Sequence, residues 1–198
     1  MIQGSSQRAL DQGMTLDGTL ALVAEARPGV PVVLFSYLNP LLAAGPDVLG
    51  RAAASGVQGV LVTDLPVGAD PVREAWLGEG PLEFVRLVAP TTPRERMAEI
   101  VKHGRGFVYL ISRLGVTGVQ PQVAADLPRC LADLRAVCDL PICVRFGIST
   151  PEQAEQVGAL ADGVVVGSAL VQAADQRGVD AALALVRELR AALDRIPA

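Results

Sequence analysis

Stretches of apolar residues suited to buried parallel strands recur along the chain, at Val30–Tyr37, Gly59–Asp64, Glu83–Pro90, Gly106–Arg113, Pro141–Gly147 and Asp162–Ser168. Helix signals lie between them. Asp70-Pro71 supplies a capping side chain and a proline for a first turn, and Thr92-Pro93-Arg94-Glu95 and Ser149-Thr150-Pro151-Glu152 each read as a capping box. From about Asp180, Val186, Leu189, Leu193 and Ile196 recur at helical spacing while Arg187, Arg190 and Asp194 face the other way, which predicts an amphipathic layer over a sheet. Ahead of the first strand there is only helix, Ser5 to Gln12 and then Leu16 to Arg27 behind a Thr15 cap. The predicted order is therefore helix followed by six strand-helix units.

Such an alternation suits an open doubly wound sheet or a closed barrel, and the strand ends favour the barrel. Polar or ring-bearing residues end nearly every strand: Tyr37 and Asn39, Asp64, Thr91 and Thr92, Tyr109 with Ser112, Phe146, Ser168. A barrel gathers all of its strand ends around one mouth, whereas an open sheet gathers only those beside its switch point. A complete eight-stranded barrel typically takes about 250 residues, and this chain has 198. The expected fold class is α/β, a (β/α)8 TIM barrel lacking its first two strands, with residues 1–198 forming a single partial domain.

Composition narrows the function. A formal charge of −4 without Lys/Arg clusters argues against a nucleic-acid or anionic-membrane surface. The N-terminus lacks a basic-then-apolar signal pattern and the apolar runs are too short to cross a bilayer, so a cytoplasmic location is expected. Cys130, Cys138 and Cys143 have no Cys-x-x-Cys spacing and are expected as reduced core thiols. His103, the single histidine, falls at an expected helix end, where a cap or a surface position suits it better than catalysis. The chemistry concentrates at Val144-Arg145-Phe146-Gly147-Ile148-Ser149-Thr150 and Val164-Val165-Val166-Gly167-Ser168-Ala169. Each is a strand ending in glycine and a hydroxyl where a helix begins, and the last two strand ends of such a barrel are where phosphate is usually held.

Tyr37-Leu38-Asn39-Pro40, Thr63-Asp64-Leu65-Pro66, Gly106 through Gly118 with its Ser112-Arg113-x-Gly115-Val116-Thr117-Gly118 loop, Phe146-Gly147-Ile148-Ser149 and Val166-Gly167-Ser168-Ala169 stand in the order and spacing of one family. Over its whole length the chain resembles the α chain of tryptophan synthase. The resemblance implies a lyase of tryptophan biosynthesis that cleaves indole-3-glycerol phosphate into indole and glyceraldehyde 3-phosphate. It implies no cofactor in this chain, and an α2β2 assembly in which indole passes to a β chain that uses pyridoxal phosphate. The reaction is a retro-aldol, which calls for positioned carboxylates in a dry pocket. In the family these are a glutamate ending the second strand and an aspartate just after it. Met1-Ile2-Gln3 resembles the residues that follow those acids, so both are expected upstream of Met1 and the chain as it stands is expected to be inactive.

Other roles carry over residue by residue. By resemblance Gly118, Gly147, Gly167 and Ser168 hold the substrate phosphate, Tyr37 and Phe146 line the indole pocket, and Thr117 contacts the catalytic aspartate when a lid closes. Tyr109 helps position the glutamate, and Asp64 and Pro66 belong to the β-chain interface. Without the family, Tyr109, Phe146 and Tyr37 could equally be core, and Asp64 a helix or turn cap. Arg145 stands where the family usually has glycine, and it either pairs with phosphate or blocks the pocket. Two other functions stay open: a noncatalytic modulator of a β chain, and another phosphate-binding barrel enzyme such as a sugar-phosphate isomerase, for which Asp64 is the candidate acid or base. A six-stranded remnant is expected to be weakly stable or prone to self-association, because unpaired strand edges meet water.

Overall fold

The computed structural model describes residues 2–111, 121–145 and 147–196, with side chains in the second stretch from 127 onward. Two helices, α1 (Ile2–Asp11) and α2 (Leu16–Ala26), precede the sheet. Six strands follow, β1 (Val33–Ser36), β2 (Gly59–Val62), β3 (Glu83–Val88), β4 (Val108–Ile111), β5 (Ile142–Arg145) and β6 (Gly163–Val165). Each falls inside an apolar run that the sequence marks as a strand. The connections carry α3 (Leu38–Ala43) and α4 (Val48–Ser55), then α5 (Pro71–Gly78), α6 (Arg94–Val101), α7 (Pro121–Arg135) and α8 (Pro151–Gly158). After β6 come α9 (Ser168–Arg177) and α10 (Val179–Leu193).

Every strand pair is parallel and the spatial order is β1-β2-β3-β4-β5-β6, with no reversal at a switch point. That order excludes a doubly wound sheet, in which strand order reverses. Curvature is visible in one contact: the rings of Phe35 on β1 and Tyr109 on β4 meet edge to face, 5.9 Å apart, although two strands separate them in the sheet. A flat sheet would hold strands three places apart at about 14 Å. The sheet is thus a curled half-barrel with helices on its convex side. Its β1 and β6 edges have no ladder partner among the described residues.

Alternation along the strands sorts side chains onto the two faces. Val60, Val62, Phe84, Val88, Val108, Leu110, Ile142 and Val144 point outward and pack beneath the helices in two clusters, one under α2 to α5 and one under α6 to α10. The concave face carries a smaller cluster, Leu61, Val85 and Tyr109, with Val33, Leu87, Ile111 and Val165 against it. Arg86 breaks the apolar pattern of β3 on the outward side. Its guanidinium lies over the Phe84 ring at 4.5 Å, its Nε donates to the Ile100 carbonyl at 3.2 Å, and Glu74 stands 3.4 Å away. A buried charge is tolerated when it is paired and hydrogen-bonded in this way.

Helix starts follow local chemistry, with corrections. Thr15 accepts from the Gly18 amide and Asp70 from the Arg73 amide, as capping side chains do. The box expected at Thr92-Pro93-Arg94-Glu95 does not form: Pro93 is the N-cap, with no side chain able to accept, and the Thr92 amide turns back to the Ala89 carbonyl. The box at Ser149-Thr150-Pro151-Glu152 closes one residue later, between Thr150 and Gln153, with Pro151 in the first turn. On α10 the buried stripe runs through Leu185, Leu189, Ala192 and Leu193, and Val186 is exposed instead of buried, because α10 packs on α8 and α9 rather than flat on the sheet. His103 is exposed just past the end of α6. No helix among the described residues is long and apolar enough to cross a membrane.

Candidate functional site

In parallel strands the C-terminal ends share one rim, and the register brings the two glycine-bearing tips together. Cys143 pairs with Gly163, Val144 with Val164 and Arg145 with Val165. Gly147 and Gly167 therefore lie two residues beyond one paired rung, on neighbouring tips facing the same way. A Cβ built on either meets nothing within 4 Å, so the fold's own packing does not require glycine there. Gly163 is the opposite case, since a Cβ there would come 2.8 Å from Cys143 Sγ. The glycines at the rim leave backbone accessible from the mouth of the half-barrel, which is what close approach of a ligand needs.

The helices that follow these tips differ. At α8 the amides of Ser149, Thr150 and Gln153 are all satisfied within the Thr150–Gln153 box. At α9 the N-cap is Gly167, which has no side chain to offer, and the amides of Ser168 and Ala169 have no acceptor among the described residues. Unclaimed amides and the positive end of the helix dipole suit an anion.

The wall below the rim is apolar and aromatic. Tyr109 is buried on the concave face between Leu87 and Cys143 in the ladder, and Phe35 packs on its ring. Burial pushes the Tyr109 hydroxyl's ionisation up, and the nearby Arg145 guanidinium pulls it partly back. Burial, reinforced by Asp162, likewise pushes the Cys143 thiol up, which leaves it a poor nucleophile. Tyr37 is exposed at the tip of β1, where it is the N-cap of α3. Phe35 is a wall residue the sequence reading passed over. Its signal was there in the alternation Val33, Phe35, Tyr37, which places three residues on one face of the first strand.

At the β1 and β2 tips the polar groups bond to one another, except the Thr63 hydroxyl, which is buried without a hydrogen-bond partner among the described residues. Asp64 Oδ1 accepts from the Leu38 amide at 2.8 Å, so this carboxylate caps α3. Ser36 Oγ donates to the Tyr37 carbonyl at 2.8 Å, and the Thr63 amide donates to the Ser36 carbonyl at 3.1 Å. Pro66 is exposed beside the buried Leu65. The concave strand positions carry no carboxylate above Glu83, which sits at the opposite end of β3 from the rim. Of the remaining sequence-derived candidates, Thr117, Gly118 and Phe146 lie outside the described residues.

The sequence profile of the family described as tryptophan synthase alpha chain matches residues 1–195. The tryptophan synthase alpha chain of Synechocystis sp. is 45% identical over 202 residues, which span 98% of this chain and 76% of that protein. That of Synechococcus elongatus is 42% identical over 201 residues, spanning 100% of this chain and 76% of its own length. Among solved structures, tryptophan synthase from M. tuberculosis in an aminoacrylate- and BRD0059-bound form superposes with a TM-score of 0.85 at 34% identity, covering 97% of this chain and 73% of that one. The tryptophan synthase alpha chain from Legionella pneumophila gives 0.84 at 33% identity, covering 100% and 76%.

Proposed function

Because the chain belongs to the tryptophan synthase alpha chain family, a lyase family, we propose that it forms the phosphate- and indole-binding part of a site that cleaves indole-3-glycerol phosphate to indole and glyceraldehyde 3-phosphate. The observation that carries this reading is the pairing of the Gly147 and Gly167 tips beside the unclaimed amides of Ser168 and Ala169. Those amides grip the phosphate, and Ser168 adds its hydroxyl. The indole ring lies against the concave wall, where Phe35 and Tyr109 offer faces and edges to stack on. The resemblance adds Gly118 to the phosphate cradle, Phe146 to the ring pocket and Thr117 to the lid, all three outside the described residues.

Cleaving the bond requires a proton delivered to the indole ring and one removed from a glycerol hydroxyl. The concave strand positions offer no carboxylate near the rim, and Asp64 is committed to the Leu38 amide. The described residues therefore supply neither acid at the rim. Indole then passes to a β chain holding pyridoxal phosphate in an α2β2 assembly, with Asp64 and Pro66 at the interface. The missing inward carboxylate equally favours a second reading, in which the chain modulates a β chain without catalysing.

Calorimetry with indole-3-glycerol phosphate, together with an assay for indole release, tests the first reading. Binding without turnover by the 198-residue chain is expected; turnover by this chain alone overturns the assignment of the acids. Mixing with a β chain and following tryptophan formation from serine and added indole tests the second. A change in that rate supports modulation.

A further inference from the structure

Above Glu83 at the far end of β3, the charge on the concave strand positions is Arg145, which ends β5 near the rim. Ile142 and Val144 point outward and are fully buried, so alternation sends Cys143 and Arg145 inward. Arg145 pairs with Ile111 on one side and Val165 on the other, both of which pack on the concave cluster. Its side chain is exposed, and no carboxylate among the described residues lies within ion-pair distance of it. Arg86, the other arginine borne by a strand interior, is instead buried outward and held by Glu74. A guanidinium left without a counter-charge on an apolar wall beside a glycine-lined rim is placed for an anion that the chain itself does not provide.

Gly147 and Gly167 each stand two residues beyond the Arg145–Val165 rung, which bounds the separation at about 7 Å along the chain. An extended arginine side chain spans that distance. Resting on the phosphate site proposed above, we infer that Arg145 selects doubly ionised phosphate esters as the ligand class, supplying the formal positive charge that backbone amides cannot. The Arg145 guanidinium lies close enough to the Tyr109 hydroxyl to pull its ionisation partly down. The amides of Ser168 and Ala169 fix the position of the anion, and the guanidinium discriminates its charge. A monoanionic carboxylate or an uncharged alcohol forgoes most of that contribution.

The test compares the 198-residue chain with its Arg145→Gln and Arg145→Lys variants. The ligands are indole-3-glycerol phosphate and its dephosphorylated alcohol, titrated calorimetrically from pH 5 to pH 8. The unaltered chain is expected to prefer the ester and to bind it more tightly as pH rises through the second phosphate ionisation, near about 6. Arg145→Gln should lose about 10- to 100-fold on the ester, flatten that pH dependence and leave the alcohol unchanged, while Arg145→Lys restores part of both. Ester binding by Arg145→Gln that equals or exceeds the original overturns the inference and leaves the phosphate site standing. Failure of the unaltered chain to distinguish ester from alcohol overturns the phosphate site itself.

Discussion

Two pairs of strand tips share one rim and treat their polar groups in opposite ways. At the β1 and β2 tips, Asp64 accepts from the Leu38 amide, Ser36 Oγ donates to the Tyr37 carbonyl and the Thr63 amide donates to the Ser36 carbonyl, so that, apart from the buried Thr63 hydroxyl, these groups close on one another. At the β5 and β6 tips, Gly167 leaves α9 uncapped, and among the described residues the Ser168 and Ala169 amides have no acceptor and Arg145 has no counter-charge. An unmade cap forgoes about 1 kcal/mol, and a chain under selection for stability alone would be expected to fill it. On the reading proposed above, the pair left open is the pair that meets the ligand.

The sharpest way to break this comparison is to cap the open tip. Gly167→Asp places a carboxylate where a Cβ meets nothing within 4 Å, so the chain should fold with unchanged or slightly higher thermal stability. Its affinity for indole-3-glycerol phosphate should fall at least about 100-fold, or roughly 2.7 kcal/mol. Calorimetry and a thermal melt on the same sample read both, and retained affinity would remove the anion site from the β6 tip.

Gly163 tests whether the rim glycines differ from those that packing demands. Gly163→Val forces a Cβ to within 2.8 Å of Cys143 Sγ, and overpacking of this kind costs about 1–3 kcal/mol. Urea unfolding should show that loss. A neutral result would mean the concave wall is looser than its ladder implies.

At the closed tips, Asp64→Ala removes the cap on α3 and should cost about 1 kcal/mol, seen as a melting temperature lower by about 2–4 °C. Phosphate-ester affinity should not change. If it drops as far as in the Gly167 variant, the two pairs of tips are not independent.

The smallest effect belongs to the wall between them. Burial raises the ionisation of Tyr109, so the folded state prefers the neutral hydroxyl. That preference contributes fully below the ordinary tyrosine range, near about 10, and is lost as pH climbs through the raised folded value. Tyr109→Phe should flatten this alkaline loss of stability while leaving neutral-pH stability nearly unchanged. Urea midpoints between pH 8 and pH 11 provide the measurement.

Much of this architecture was legible in the residues themselves. Six apolar runs became six parallel strands because strands of such a sheet carry apolar residues toward both faces, and that pattern is local. Thr15 and Asp70 cap the helices their side chains predict, for an equally local reason. The capping reading failed at Thr92, where proline took the cap position, and the stripe reading failed at Val186, where the neighbouring helices chose which face to bury. Phe35 escaped notice because its partner, Tyr109, is three strands away and only curvature joins them.

By itself the sequence determined the strand-helix order, the parallel direction and which tips end in glycine, since these depend on neighbours along the chain. Tertiary structure alone decided the curl of the sheet, the rung that aligns Gly147 with Gly167, and the face on which Arg145 stands. Those depend on register between strands, where a slip of a single residue would turn Arg145 outward into the helix layer and dissolve the site.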